Sequence, residues 1–167
     1  MYAVGDLPDA LSRFLPGEVA TVHQIFSGPV PGDAMLLFNY EAAVMLSDLL
    51  TENQSRSDSL NTSAREALTE VGNILLNAYL GIFGDLLQVR ISFSVPRLHL
   101  ESLGAFLRSL IIDKEEMWYA LVVYTAFRLR DGLIKGYVVM ALSVPSFDRL
   151  LAELEKWEDR QGKSEFV

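Results

Sequence analysis

Two stretches of the chain share one layout, and this repeat narrows the possible fold more than any other feature of the sequence. In the first stretch, apolar alternation predicts a strand over 18–26, which a Gly/Pro turn separates from a second strand over 33–39. A helical pattern follows over 40–51. The stretch is therefore predicted to form a β-β-α unit.

The second stretch repeats this order about a hundred residues later. Strands are predicted over 116–129 and 133–143, with Asp131-Gly132 between them, and a helix over 146–158. Asp-Gly between two apolar runs is a strong hairpin signal, because both turn positions favour positive φ, which Asp tolerates and Gly adopts freely. A second β-β-α unit is therefore predicted.

The second hairpin is apolar on both of its alternating faces. One face carries Trp118, Ala120, Val122 and Tyr124, and the other carries Tyr119, Leu121, Val123 and Phe127. A sheet that is apolar on both faces is expected to be covered on both, by helices on one side and by helices or another subunit on the other. A central strand pair within a monomer and a homodimer face therefore both remain open.

A long helix lies between the two units, and short helical segments are predicted before each unit, over 8–15 and 101–110. Together these elements predict an α+β fold, in which two β-β-α units form a mostly antiparallel sheet flanked by helices. The length of 167 residues fits one domain over 1–167 with a sizeable hydrophobic core.

Composition excludes several classes of function. The formal charge is −8, from 14 Lys+Arg against 22 Asp+Glu, and no basic cluster could follow a phosphate backbone, so no nucleic-acid partner is expected. Membrane insertion and a secretory signal are not expected either, because the apolar runs are short and the start of the chain lacks a basic segment followed by an apolar one.

The absence of cysteine suits a cytoplasmic protein. His23 and His99 lie far apart in sequence and are expected to make ordinary hydrogen bonds, so no metal site is predicted.

The long helix has recognisable ends. Ser63-Ala-Arg-Glu66 fits a capping box, in which the serine side chain accepts from a backbone amide and the glutamate reaches back to the cap. The helix is predicted to continue to about Leu87. Alternation over 89–95 then predicts a strand that ends at Pro96.

The helix carries two stripes of different character. The predicted core stripe contains Ala64, Ala67, Leu68, Val71, Ile74, Leu75, Ala78, Ile82 and Leu86. The nearly opposite stripe contains Glu66, Glu70, Asn73 and Asn77, and Gly72 leaves the surface bare between two of its members. No Lys or Arg occurs between Arg65 and Arg90, although exposed helices of this length usually mix both charge signs. The pattern alone leaves open a docking surface or a poorly optimised exterior.

Glu70-x-x-Asn73, followed by 22 residues and then Pro96, resembles the signature of the CheC/CheX/FliY phosphatases of chemotaxis. The helix sequence EVGNILLNAYLG and the upstream sequence FSGPVPGDAMLLF also resemble segments of CheC proteins. The resemblance covers most of the chain. The first motif helix is missing from the resemblance: CheC proteins typically carry one such helix before each β-β-α unit, whereas residues 1–17 contain no Glu-x-x-Asn. The family also prefers Asp or Ser where this chain has Glu66.

The resemblance implies hydrolysis of the aspartyl phosphate on a CheY-type response regulator. Asn73 would orient the attacking water, as a glutamine does in GTPases, and Glu70 would pair with the lysine of the receiver domain. Gly72 would let the partner approach closely, Asn77 could contact its rim, and Pro96 would end a strand and shape the site from behind. No cofactor of the protein's own is implied, since Mg²⁺ is expected on the response regulator.

Two other functions remain open. A CheC-like protein could bind a receiver domain or a CheD-type partner without catalysis, because a chain with one motif helix could keep docking and lose turnover. A structural subunit of the flagellar switch is a further alternative, because related folds serve there.

Overall fold

The computed structural model describes residues 2–51, 59–111, 118–129 and 132–164. Its elements, in chain order, are β1 (Tyr2–Ala3), α1 (Leu7–Leu11), β2 (Glu18–Ser27), β3 (Gly32–Asn39), α2 (Tyr40–Leu50), α3 (Thr62–Leu87), β4 (Ser92–Phe93), β5 (Arg97–Ser102), α4 (Leu103–Ile111), β6 (Trp118–Leu129), β7 (Gly132–Ser143) and α5 (Val144–Ser164). Both predicted β-β-α units are present, as β2-β3-α2 and β6-β7-α5.

The seven strands of the described residues form one antiparallel sheet in the order β1-β6-β7-β3-β2-β4, with β5 also paired to β2. Each unit contributes one hairpin, and the pairing of β3 with β7 joins the two hairpins side by side. The predicted α+β fold, a mostly antiparallel sheet flanked by helices, is confirmed.

Helices cover both faces of the sheet. On one face, the core under α2, α3 and α5 includes Val22, Leu36, Leu76 and Val138. The core on the other face includes residues of α1 and α4 packed against the sheet, among them Leu7, Met35, Phe106 and Val139. Alternation along each strand produces these two layers, because successive side chains of a strand point to opposite faces. Helices of this chain thus lie on both faces of the sheet, although Leu121 and Val123 of β6 are only partly buried.

The region around Pro96 differs from the prediction. The strand expected over 89–95 is reduced to β4, and the separate strand β5, which was not predicted, follows Pro96. Both short strands pair with the ten-residue β2. Proline has no N–H to donate to a ladder, so the chain leaves the edge of β2 and rejoins it beyond Pro96.

Other boundaries shift less. The first short helix ends at Leu11, earlier than expected, and α5 begins two residues before its predicted start. Asp131 of the predicted Asp131-Gly132 turn lies outside the described residues, and Gly132 is the first residue of β7. None of the helices described here is both long and apolar enough to cross a membrane.

Candidate functional site on the long helix

The ends of α3 are fixed by residues on either side of it. At the start, the Asn61 side chain accepts a hydrogen bond from the backbone N–H of Ala64 at 2.9 Å. The predicted capping box at Ser63 and Glu66 is therefore wrong, because Asn61 lies two residues earlier and already satisfies a free amide of the first turn. At the other end Gln88 adopts the left-handed conformation, with φ of 54°, so the helix ends at Leu87 as predicted.

The buried face of α3 is rotated relative to the predicted core stripe. Its buried residues are Ala64, Leu68, Gly72, Leu76, Leu80, Phe83, Gly84 and Leu87. Ile74 and Ile82, which were predicted to be in the core, are 59% and 68% exposed. The apolar residues of α3 extend around too much of the helix for their pattern to fix the orientation, so packing against the sheet decides it.

Gly72 packs directly against the sheet. A Cβ atom built on Gly72 would lie 2.5 Å from Cγ1 of Val22 on β2 and within 2.8 Å of its other side-chain carbons. The expectation that Gly72 leaves an exposed surface bare for a partner is therefore wrong. Glycine is required here because the branched side chain of Val22 fills the space that any larger residue would need.

The stripe of polar residues on α3, formed by Glu66, Glu70, Asn73 and Asn77, lies beside this contact. Glu70 is exposed, and Asn73 and Asn77 are half-buried. Residues three or four apart on a helix are neighbours, with Cβ atoms about 5–6 Å apart, so Glu70 and Asn73 share one outward side of α3. The Asn77 Nδ2 group donates a hydrogen bond to Asn73 Oδ1 at 3.0 Å. The side chain of Asn73 is thus held from within the same helix.

Gln24 on β2 extends this contact into the sheet, and sequence reasoning did not identify it. Its Nε2 group donates to Asn77 Oδ1 at 3.2 Å and to the backbone carbonyl oxygen of Ser94 at 2.8 Å. The side chain is 1% exposed. A signal was present in the sequence, because Gln24 interrupts the otherwise apolar face of β2 formed by Ala20, Val22 and Phe26.

The segment leading to Pro96 is attached to the same strand. Ser94 donates its backbone N–H to the carbonyl oxygen of Ile25 at 2.8 Å, and its Oγ accepts from the N–H of Ile25 at 2.9 Å. Pro96 itself is half-buried. Gln24 therefore bonds both to the helix that carries Asn73 and to the segment that carries Pro96.

The two histidines meet on the opposite face of the sheet. His23 Nε2 lies 2.8 Å from Asp33 Oδ1, and the ring of His99 lies 5.9 Å from that of His23 and 4.9 Å from that of Phe106. Burial, reinforced by the nearby His23, lowers the pKa of His99 below its ordinary value. Their separation in sequence concealed this proximity, which arises because β5 pairs with β2. Within the described ranges no three His, Cys, Asp or Glu side chains are grouped as metal ligands.

Comparison with known proteins gives a sequence match and a fold match. None of the protein-family models compared with the chain matches it. The chain is 25% identical to the CheY-P phosphatase CheC of Bacillus subtilis (strain 168) over 155 residues, which cover 87% of this chain and 74% of CheC.

Two solved structures share the fold. FliY of Thermotoga maritima has a TM-score of 0.69 and 16% identity, and the match covers 93% of this chain and 77% of FliY. The middle domain of FliM (51–229) from Vibrio alginolyticus has a TM-score of 0.57 and 11% identity, covering 91% of this chain and 79% of that domain. The predicted resemblance to the CheC/CheX/FliY family is confirmed by these findings together.

Proposed function

We propose that this protein dephosphorylates a CheY-type receiver domain by means of the outward side of α3. The observation that carries the proposal is the pair of an exposed carboxylate, Glu70, and an amide, Asn73, one turn apart, with the amide oxygen of Asn73 held by Asn77. The similarity to CheC, a CheY-P phosphatase, supports the same reaction for this chain.

Asn73 would orient the attacking water. Hydrolysis of an acyl phosphate depends mainly on positioning and on stabilising charge, and the receiver would bring the phosphoaspartate, its Mg²⁺ and a lysine. The Oδ1 atom of Asn73 accepts one hydrogen bond from Asn77, which leaves its second lone pair for a water, while Nδ2 can donate to a phosphoryl oxygen. An amide is not a base at neutral pH, so Asn73 would position the water and leave its protons to the phosphate and solvent.

Glu70 would set the docking register. Its exposed carboxylate lies in a stretch of helix without Lys or Arg, so a receiver lysine would find no competing cation beside it on α3. An exposed ion pair contributes only about 0–1 kcal/mol, so Glu70 is expected to affect alignment more than affinity.

Phosphate release from a phosphorylated receiver domain of the same organism tests the proposal. Asn73→Ala should lower the stimulated rate by about a hundredfold, the effect of removing one oriented transition-state donor, with little change in the melting temperature. Glu70→Ala should lower it less. Glu66→Ala is the matched control for Glu70→Ala, because it removes an exposed carboxylate one turn earlier on the same helix. Unchanged dephosphorylation by Asn73→Ala protein would contradict the proposal.

A non-catalytic binding module is the second candidate, and exposed apolar side chains on α3 and just before Pro96 favour it. Ile74 is 59% exposed beside Asn73, and Val95 is 83% exposed beside Pro96. Such residues can supply docking area whether or not hydrolysis follows. Titration with phosphorylated and unphosphorylated receiver, and with a CheD-type protein, separates the two functions: tight binding without faster phosphate loss supports the module. Sedimentation of the free protein tests for a homodimer.

A further inference from the structure

Three carboxamides form a continuous row from the sheet to the outward side of α3. The row begins at the carbonyl oxygen of Ser94, to which Gln24 Nε2 donates at 2.8 Å, and continues from the same nitrogen to Asn77 Oδ1 at 3.2 Å. It ends with the hydrogen bond from Asn77 Nδ2 to Asn73 Oδ1 at 3.0 Å. Gln24 thus donates twice through one nitrogen, and Asn77 accepts from the sheet through its oxygen and donates to Asn73 through its nitrogen.

The first acceptor of the row fixes its direction. A carboxamide can turn its oxygen or its nitrogen toward a neighbouring amide, and the two arrangements are nearly equal in shape. A backbone carbonyl, in contrast, only accepts. Ser94 therefore requires the nitrogen of Gln24, the second hydrogen of that nitrogen requires the oxygen of Asn77, and the nitrogen of Asn77 then requires the oxygen of Asn73.

We propose that Gln24 is a positioning residue, which acts through Asn77 to set the orientation of the Asn73 amide. The inference rests on the proposed function, because it concerns the same site. With Oδ1 held toward Asn77, the Nδ2 group of Asn73 lies on the other side of the amide and is available to donate to a phosphoryl oxygen. Without the row, the Asn73 amide would populate both orientations, and only one of them has its donor available for the phosphoryl group.

The cost of burying Gln24 supports this role. The side chain is 1% exposed, and its Oε1 atom is buried without a hydrogen-bond partner among the described residues. A methionine would fill similar space without an unpaired acceptor, but it would donate no hydrogen bond to Asn77 or Ser94. Gln24 therefore supplies two N–H donors at this position, which an apolar residue cannot do.

Gln24→Met and Thr21→Val form a matched pair of variants on β2. Thr21 is also buried on this strand, its Oγ1 has no hydrogen-bond partner among the described residues, and it faces the opposite side of the sheet. Gln24→Met should lower kcat for phosphate release by roughly tenfold to a hundredfold, because the water and the phosphoryl oxygen lose a fixed amide, with little change in KM for the receiver. Thr21→Val should leave both constants unchanged. An equal loss in the two variants, or a normal kcat for Gln24→Met, overturns the proposal.

Asn77→Ala is a second variant in case Gln24→Met does not fold. Asn77 is half-buried and lies on the helix surface, so its truncation is expected to be tolerated. A positioning role predicts a lower kcat with KM unchanged. A rise in KM alone would mean that Asn77 contacts the rim of the partner, and it would overturn the positioning role.

Side-chain amide signals in ¹H–¹⁵N spectra test the row independently of activity. In the native protein one amide hydrogen of Asn77 should exchange slowly and those of Asn73 rapidly, and Gln24→Met should remove the protection at Asn77. If these spectra behave as expected but the native protein releases no phosphate, the proposed function fails while the row stands. Identical Asn77 signals in the native and Gln24→Met proteins overturn the row.

Discussion

The strands β2 and β6 hold equivalent places in the two β-β-α units, yet they are covered differently. The β2 residues from Val19 to Gln24 are buried on both faces, under α3 on one side and α4 on the other. In β6, Leu121 and Val123 are only partly buried, and Tyr124 is 54% exposed. The same local layout therefore does not dictate the same packing.

The two strands are covered differently because α3, which belongs to neither β-β-α unit, packs more closely on β2 than on β6. Gly72 brings α3 directly onto β2, whereas α3 reaches β6 through the tip of a side chain, the hydroxyl of Tyr79, which lies 3.2 Å from Thr125 Oγ1. The repeated units build the four central strands of the sheet, and the unrepeated helix α3 carries the candidate site. Predictions at the two contacts of α3 test this contrast between close packing on β2 and distant contact with β6, and a further one tests the cover by α4 on the other face.

The largest effect is expected at the contact with β2. Gly72→Ala should lower the free energy of unfolding by about 1–3 kcal/mol, because the new methyl group would overlap the Val22 side chain and force α3 away from the sheet. Urea denaturation measures the change. Val22→Ala in the same protein should recover part of the loss by making room, and a double-mutant cycle gives the coupling.

Gly81→Ala is the matched control on the same helix. A Cβ atom at Gly81 would have nothing within 4 Å, so alanine should raise the free energy of unfolding by about 0.4–1 kcal/mol through its better helix propensity. If Gly72→Ala proved as stabilising as Gly81→Ala, the close packing of α3 on β2 would be refuted.

A smaller effect is expected at the contact with β6. Tyr79→Phe removes the hydrogen bond to Thr125 and should cost about 0.5–1.5 kcal/mol, toward the lower end because both residues are only partly buried. Thr125→Val should cost a similar amount, and the double variant little more than either single one. Additive losses in thermal denaturation would mean that the two hydroxyls do not interact.

The smallest effect concerns the other face of β2, where α4 covers His99. Burial lowers the pKa of His99 below its ordinary value of 6.5, with His23 and Arg97 acting in the same direction and Glu101 against it. The unfolded chain therefore binds the proton more readily, so this contribution to stability is complete above pH 6.5 and is lost as the pH falls below it. The melting temperature, followed from neutral pH to about pH 5, should fall less for His99→Gln than for the native protein. Equal slopes for the two proteins would show that His99 is not buried in its neutral form.

Local patterns predicted both hairpins and the helix that follows each one, because alternation and turn residues act within a few positions of each other. The rotation of α3 was not predictable in the same way, since Gly72 and Val22 are fifty residues apart and only their contact makes the glycine necessary. Gln24 was missed for the same reason, because its partners Asn77 and Ser94 lie on other elements. Glu70 was predicted to be exposed and is exposed.

Gly72 also determines in which direction the candidate site points. Each residue turns an α-helix by about 100° and advances it by about 1.5 Å, so the residue that rests on the sheet sets the phase of the whole helix. Moving the glycine by one position would swing Glu70 and Asn73 about 100° around the axis without changing their spacing. The number of residues between the glycine and the pair thus sets the angle at which the pair leaves the sheet. A residue on the buried face of α3 therefore decides from which side a partner must approach.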